Sequence, residues 1–139
     1  MTGIVVLLVA VLLTVVTALT FKNRNGRFGT STRSSGAEVL TPADIGGALG
    51  TRATLVQFSS AFCSPCRATR VLLTDIAAKL DGVVTVEIDA EENLAMVRRL
   101  NIMRTPTVLI LDADGAVSTR ASGLPRREQV LAALGGALD

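Results

Sequence analysis

Cys63 and Cys66 form the pair Cys63-Ser64-Pro65-Cys66 and are the only cysteines in the 139-residue sequence. Residues three apart on a helix share a face, so the two sulfurs are within reach of each other and of a disulfide bond. The chemistry this spacing allows is thiol–disulfide exchange. One thiolate attacks a foreign disulfide, and the second thiol resolves the mixed disulfide. The sequence contains no histidine. That excludes Cys-His and Ser-His catalysis, most zinc sites and His-ligated haem. Two cysteines are too few for a structural zinc site or a disulfide framework. No metal and no cofactor are expected.

For one cysteine to react faster, the chain must place it at the positive end of a helix. The apolar, β-rich run Thr54–Ser59 reads as a strand, and residues from Cys63 to Leu80 read as a helix. Ala68, Leu72, Ile76 and Leu80 are taken as its buried stripe. Cys63 then lies among free backbone N–H groups, which stabilise a thiolate. It is assigned as nucleophile and Cys66 as the resolving thiol, with Arg67 and Arg70 adding positive charge nearby. Pro65 suits a first turn because it has no N–H to leave unpaired. Two cysteines that merely happen to be close are the competing explanation. Their position at a strand-to-helix turn favours the redox reading.

The other elements alternate. Thr41-Pro42-Ala43-Asp44 is an N-terminal helix signal opening a helix to about Leu49. Val83–Ile88 reads as a strand and Glu91–Leu100 as a helix. Thr107–Leu111 and Ala116–Ala121 form a hairpin around Asp112-Ala113-Asp114-Gly115, and Pro125–Leu138 is a closing helix. This order implies a mixed sheet with helices on both faces. The first two strand-to-strand crossovers carry helices and are expected to be parallel and right-handed. Thr105-Pro106 stands at the start of a strand, where the missing N–H of proline is tolerated. Local sequence leaves its isomer open.

Gly3 to Phe21 carries no charge and is rich in Val and Leu. As a helix it spans roughly 28 Å, close to the hydrocarbon thickness of a bilayer. A cleaved signal peptide is the rival, but the basic start and small-residue exit are missing. Residues 1–21 are read as a transmembrane anchor in contact with lipid, 22–37 as a basic flexible linker, and 38–139 as the globular domain. Lys22, Arg24, Arg27 and Arg33 flank the apolar run without an acid. All 12 acidic residues lie from Glu38 onward, against 10 of the 14 basic ones. The pI of about 8.9 therefore reflects the linker, and no nucleic-acid partner is expected. The basic flank predicts a single-pass protein of the cytoplasmic membrane with its domain facing the cytoplasm. Translocation of the domain to the extracytoplasmic side is the alternative.

The stretch from Leu55 to Arg67, with Val86-Glu87-Ile88-Asp89 and Ile102-Met103-Arg104-Thr105-Pro106-Thr107-Val108, resembles the thioredoxin family, here as a membrane-anchored protein of bacterial type. The resemblance covers about Glu38 to Leu138. It implies the thioredoxin fold, a Cys63–Cys66 redox disulfide, and a cis Pro106 packed against the cysteines. It also implies a substrate-binding surface formed by Phe62, Thr105, Pro106 and Gly123, and protein disulfides or dithiols as partners of a monomer. Where the family usually has other residues, this chain has Phe62 for Trp, Ser64 for Gly, Ser59 for an aromatic and Thr85 for Lys. Gln57 replaces the buried acid thought to deprotonate the resolving thiol, and an amide cannot take that proton. Three functions fit: a membrane-tethered thiol–disulfide oxidoreductase, a cytochrome c maturation protein of the same chemistry, or a slow redox-sensing or scaffold module.

Overall fold

The computed structural model describes residues 1–30 and 38–138. Its elements are α1 (Thr2–Arg24), β1 (Phe28–Thr30), α2 (Pro42–Ile45), β2 (Ala53–Ser59), α3 (Ser64–Ala77), β3 (Val83–Asp89), α4 (Leu94–Arg99), β4 (Thr107–Asp112), β5 (Val117–Ser122) and α5 (Arg127–Leu138). The strands form one mixed sheet in the order β1-β5-β4-β2-β3.

Strand alternation builds two cores. Val56, Phe58, Leu109 and Leu111 point to one face and pack with Leu40, Ile88 and Leu100. Leu55, Val108 and Ile110 point to the other, against Leu73 and Ile76 of α3 and Val130 and Leu134 of α5. Each such buried aliphatic side chain stabilises the fold by roughly 1.5–3 kcal/mol relative to exposure. The same alternation turns Gln57 towards α3.

β2 and β3 pair in parallel, as expected. The second crossover is not parallel: β4 runs antiparallel to β2 and starts opposite its end, Thr107 facing Phe58. The connection holds a helix of about 9 Å, and the chain re-enters the sheet at the end where β3 stopped: Asp89 is opposite Ser59 and Thr107 opposite Phe58. α4 starts at Leu94 rather than Glu91, and in the turn before it Asp89 Oδ1 accepts hydrogen bonds from the N–H groups of Glu91 and Glu92. α2 stops at Ile45, short of Leu49, although Thr41 caps it as expected and the Asp44 side chain bonds back to the Thr41 N–H.

The buried stripe of α3 is Cys66, Thr69, Leu73 and Ile76, and Ala68 is exposed. Spacings of four alone drift by about 40° per step on a helix of 3.6 residues per turn, so mixed spacings of three and four are needed to hold one face.

The segment read as a flexible linker is partly ordered. α1 continues to Arg24, and Phe28–Thr30 forms an edge strand antiparallel to β5, with Phe28 opposite Ala121. The Gly26 N–H donates to the Ser122 carbonyl at 2.7 Å. The Thr119 hydroxyl donates to the Gly29 carbonyl at 2.7 Å. The free edge of β5 orders a segment too short to show periodicity of its own. The rest of that linker, residues 31–37, lies outside the described residues. α1 is long and apolar enough to cross a membrane, and none of its residues is buried against the domain.

Candidate active site

β2 ends at Ser59, the chain turns through Ser60–Phe62, and α3 begins at Ser64 with Cys63 as its N-cap. A disulfide joins Cys63 and Cys66, whose Cα atoms are 5.2 Å apart. The two sulfurs have different surroundings. Cys63 is half-buried, whereas Cys66 is 2% exposed. The Cys66 N–H donates to Cys63 Sγ at 3.2 Å. Once the disulfide opens, that N–H and the helix N-terminus favour negative charge on Cys63.

Gln57 lies beneath this turn and is 1% exposed. Its Nε2 donates to the Cys66 carbonyl at 2.8 Å, tying the first turn of α3 to the middle of β2. The amide therefore supplies a fixed donor at the resolving cysteine and no proton acceptor.

Glu87, the in-register neighbour of Gln57 on β3, forms a second polar group on the same face. It pairs with Arg70 of α3 and accepts from the Ser59 hydroxyl at 2.8 Å. The hydrogen bond from Arg70 holds the Glu87 carboxyl below the usual glutamate range, against the opposing effect of burial, and Ser59 adds to it. The charge of Arg70 is thus matched by Glu87 rather than left to support Cys63. Arg67 is exposed.

Across the site the Thr105–Pro106 peptide is cis. Pro106 is buried and Thr105 half-buried, with Thr105 Oγ1 and Ser60 Oγ 3.1 Å apart. The Gly123 N–H donates to the Pro106 carbonyl at 2.7 Å. The Thr107 hydroxyl donates to the Arg104 carbonyl at 2.6 Å. Phe62 is 100% exposed at the mouth of the turn, and Met103 is exposed beside the proline loop. The structure therefore gathers Gln57, Phe62, Cys63, Cys66, Thr105 and Pro106 at one end of the sheet. Gly123 is there too but is buried rather than open. The Asn25 side chain fills the place where a Cβ on Gly123 would stand.

Asn25, Arg104 and Glu87 were not singled out from sequence. Arg104 Nη2 donates to Asn25 Oδ1 and to the Ser122 carbonyl, both at 2.8 Å. Glu87 had a signal: it is a charged residue between the apolar Val86 and Ile88 of a strand. The Asn25 contact joins residues 79 apart and had none.

Comparison with known proteins gives a consistent picture. The family model described as Thioredoxin matches residues 46–134. A thioredoxin of Mycolicibacterium smegmatis is 33% identical over 87 residues, covering 60% of this chain and 77% of that protein. Human thioredoxin domain-containing protein 2 is 33% identical over 86 residues, covering 61% of this chain but only 16% of the human protein. Among solved structures, a mutant thioredoxin from Halobacterium salinarum superposes with a TM-score of 0.56 at 18% identity, covering 64% of this chain and 77% of that one. This last likeness is one of fold.

Proposed function

The chain belongs to the thioredoxin family and is a thiol–disulfide oxidoreductase, and from this premise we propose that it works while tethered to a membrane by α1, exchanging disulfides with protein substrates. The observation that carries the exchange mechanism is the asymmetry of the cysteines: Cys63 is half-open at the N-cap and Cys66 is sealed. Cys63 thiolate attacks a substrate sulfur and forms a mixed disulfide, expelling the partner thiolate of the substrate. Cys66 then attacks Cys63 and releases the substrate dithiol, and a dithiol donor returns two electrons to the protein. Phe62 and the Thr105–Pro106 backbone flank the approaching disulfide. Multiple-turnover reduction of insulin with dithiothreitol tests this reading. Turnover well above the dithiothreitol background is expected, and background rates with a folded protein would refute it.

Gln57 favours a second, slower mode. With no acid beneath Cys66, the resolving proton must leave through solvent, which suits a redox-sensing module. A single-turnover burst followed by very slow cycling would identify that mode.

The tether reading rests on the exposed apolar length of α1 and on Lys22 and Arg24 in its last turn. The basic flank supports a cytoplasmic domain. An Asp114→Cys variant in a Cys63→Ser, Cys66→Ser background tests the side. Protection from a membrane-impermeant maleimide in intact cells is expected, and labelling without lysis would place the domain outside.

A further inference from the structure

The reactive end of the sheet lies where the chain leaves α1. β1 starts opposite the end of β5, at Phe28 and Ala121, and runs away from the site. Ser122, one residue on, faces Thr107 in β4, and Thr107 faces Phe58 in β2. The membrane exit, the cis-proline loop and the turn before Cys63 therefore share one end of the sheet. Three inter-strand steps separate β1 from β2, roughly 14 Å at the usual strand spacing.

Side chains lock this arrangement. Arg104, between Met103 and Thr105-Pro106, is bonded to Asn25, the C-cap of α1. Asn25 also covers Gly123. Lys22 and Arg24 mark the level at which cationic side chains meet headgroups, and Asn25 is the next residue. The opposite end of the sheet carries the Asp112–Gly115 turn, one strand length farther away. The exposed side chains of Phe62 and Met103 lie at the near end.

We propose that the site faces the bilayer surface and selects disulfides in the segments flanking the membrane spans of other proteins. This rests on the oxidoreductase and tether readings above and names their substrate class. A rigid short connection gives such a disulfide a high effective concentration at Cys63, whereas a site pointing away would leave it out of reach. The occupant is a membrane-protein flank, because its apolar border meets Phe62 and Met103 and its position matches the height of the site.

The test uses the full chain in phosphatidylcholine vesicles with dithiothreitol as donor. Two synthetic single-span peptides carry the same small cystine loop. In one the loop follows the span by about five residues, and in the other by about forty Gly/Ser residues. Insulin is the soluble control. We expect the near loop to be reduced about tenfold faster than the far loop. A twenty-residue Gly/Ser insertion between Arg24 and Asn25 should bring that ratio to about one while leaving insulin turnover unchanged. Equal rates on both loops, or sparing of the near loop, with insulin turnover intact would overturn the proposal alone. Loss of insulin turnover would instead remove the oxidoreductase reading, and failure of the chain to float with vesicles would remove the tether reading; either would take the proposal with it.

Discussion

The two ends of the sheet are built differently. At the hairpin end the turn closes on itself and is braced by the segment before α2, whose Leu40 N–H donates to the Gly115 carbonyl and whose Glu38 carbonyl accepts from the Val117 N–H. Asp112 Oδ1 accepts from the N–H groups of Asp114 and Ala116, and the Gly115 N–H donates to the Asp112 carbonyl. At the reactive end the hydrogen bonds join pieces far apart in the chain. They pair Ser60 with Thr105, Ser59 with Glu87, Gly123 with Pro106 and Asn25 with Arg104. The turn needs only its neighbours and the Glu38–Leu40 segment, whereas the reactive end draws together residues from Asn25 to Gly123. The contrast makes chemistry separable from stability, and substitutions at each end should reveal it.

The largest effect is expected at the cysteines. Cys63→Ser should reduce insulin turnover to background, since it removes the attacking thiolate. Cys66→Ser should retain attack but accumulate mixed disulfides, visible as bands on non-reducing gels that vanish with dithiothreitol. Neither change should lower the urea midpoint of the reduced protein by more than a small amount.

Gly115→Ala should do the opposite. Gly115 has φ +84°, and an added Cβ would meet the Leu40 carbonyl oxygen. The left-handed conformation alone costs about 1–2 kcal/mol for a residue with a side chain. We expect a loss of at least about that size in urea denaturation, with turnover per folded molecule unchanged. A drop in turnover of the folded protein would show that the two ends are coupled.

Gln57→Glu should raise turnover on the order of tenfold, a typical contribution of a positioned acid–base group. Rising turnover with pH would mark the new carboxylate as proton acceptor. The variant should be less stable, because a group that donated to the Cys66 carbonyl now faces it with an acceptor. Unchanged turnover with the fold intact would mean that water carries the Cys66 proton in either protein.

The smallest effect is expected at Glu87. The pair with Arg70 is partly exposed, so Glu87→Gln should cost less than about 1 kcal/mol at neutral pH. Its pKa is lowered in the fold, so its stabilising effect is complete above the ordinary glutamate value and is lost as pH falls through the lowered one. The stability gap between the wild type and Glu87→Gln should therefore hold from pH 7 to 5 and close towards pH 3. A gap that persists at pH 3 would contradict the ion pair as its source.

The readable parts of the sequence were those governed by short-range rules. Cys63 and Pro65 at a helix start, the Thr41–Asp44 cap and the apolar, β-rich runs of β2 and β4 each follow from neighbouring residues. β4 direction depended on the chain re-entering the sheet at the end where β3 stopped, which no local pattern in residues 90–106 specifies. β1 depended on a partner strand about ninety residues later in the chain. Gly123 was placed at the right end of the fold, but its cover by Asn25 followed from β1 and so could not be read locally. Gln57 was legible as a missing acid, yet its bond to the Cys66 carbonyl required the packing of β2 against α3.

The central claim is the division of labour between the cysteines, and differential alkylation tests it most directly. The reduced protein is treated with limiting iodoacetamide at pH 7, and the modification of each cysteine is followed by peptide mass spectrometry. The half-open N-cap position of Cys63 and the burial of Cys66 require Cys63 to be modified at least about tenfold faster. Equal rates, or faster modification of Cys66, would contradict the account.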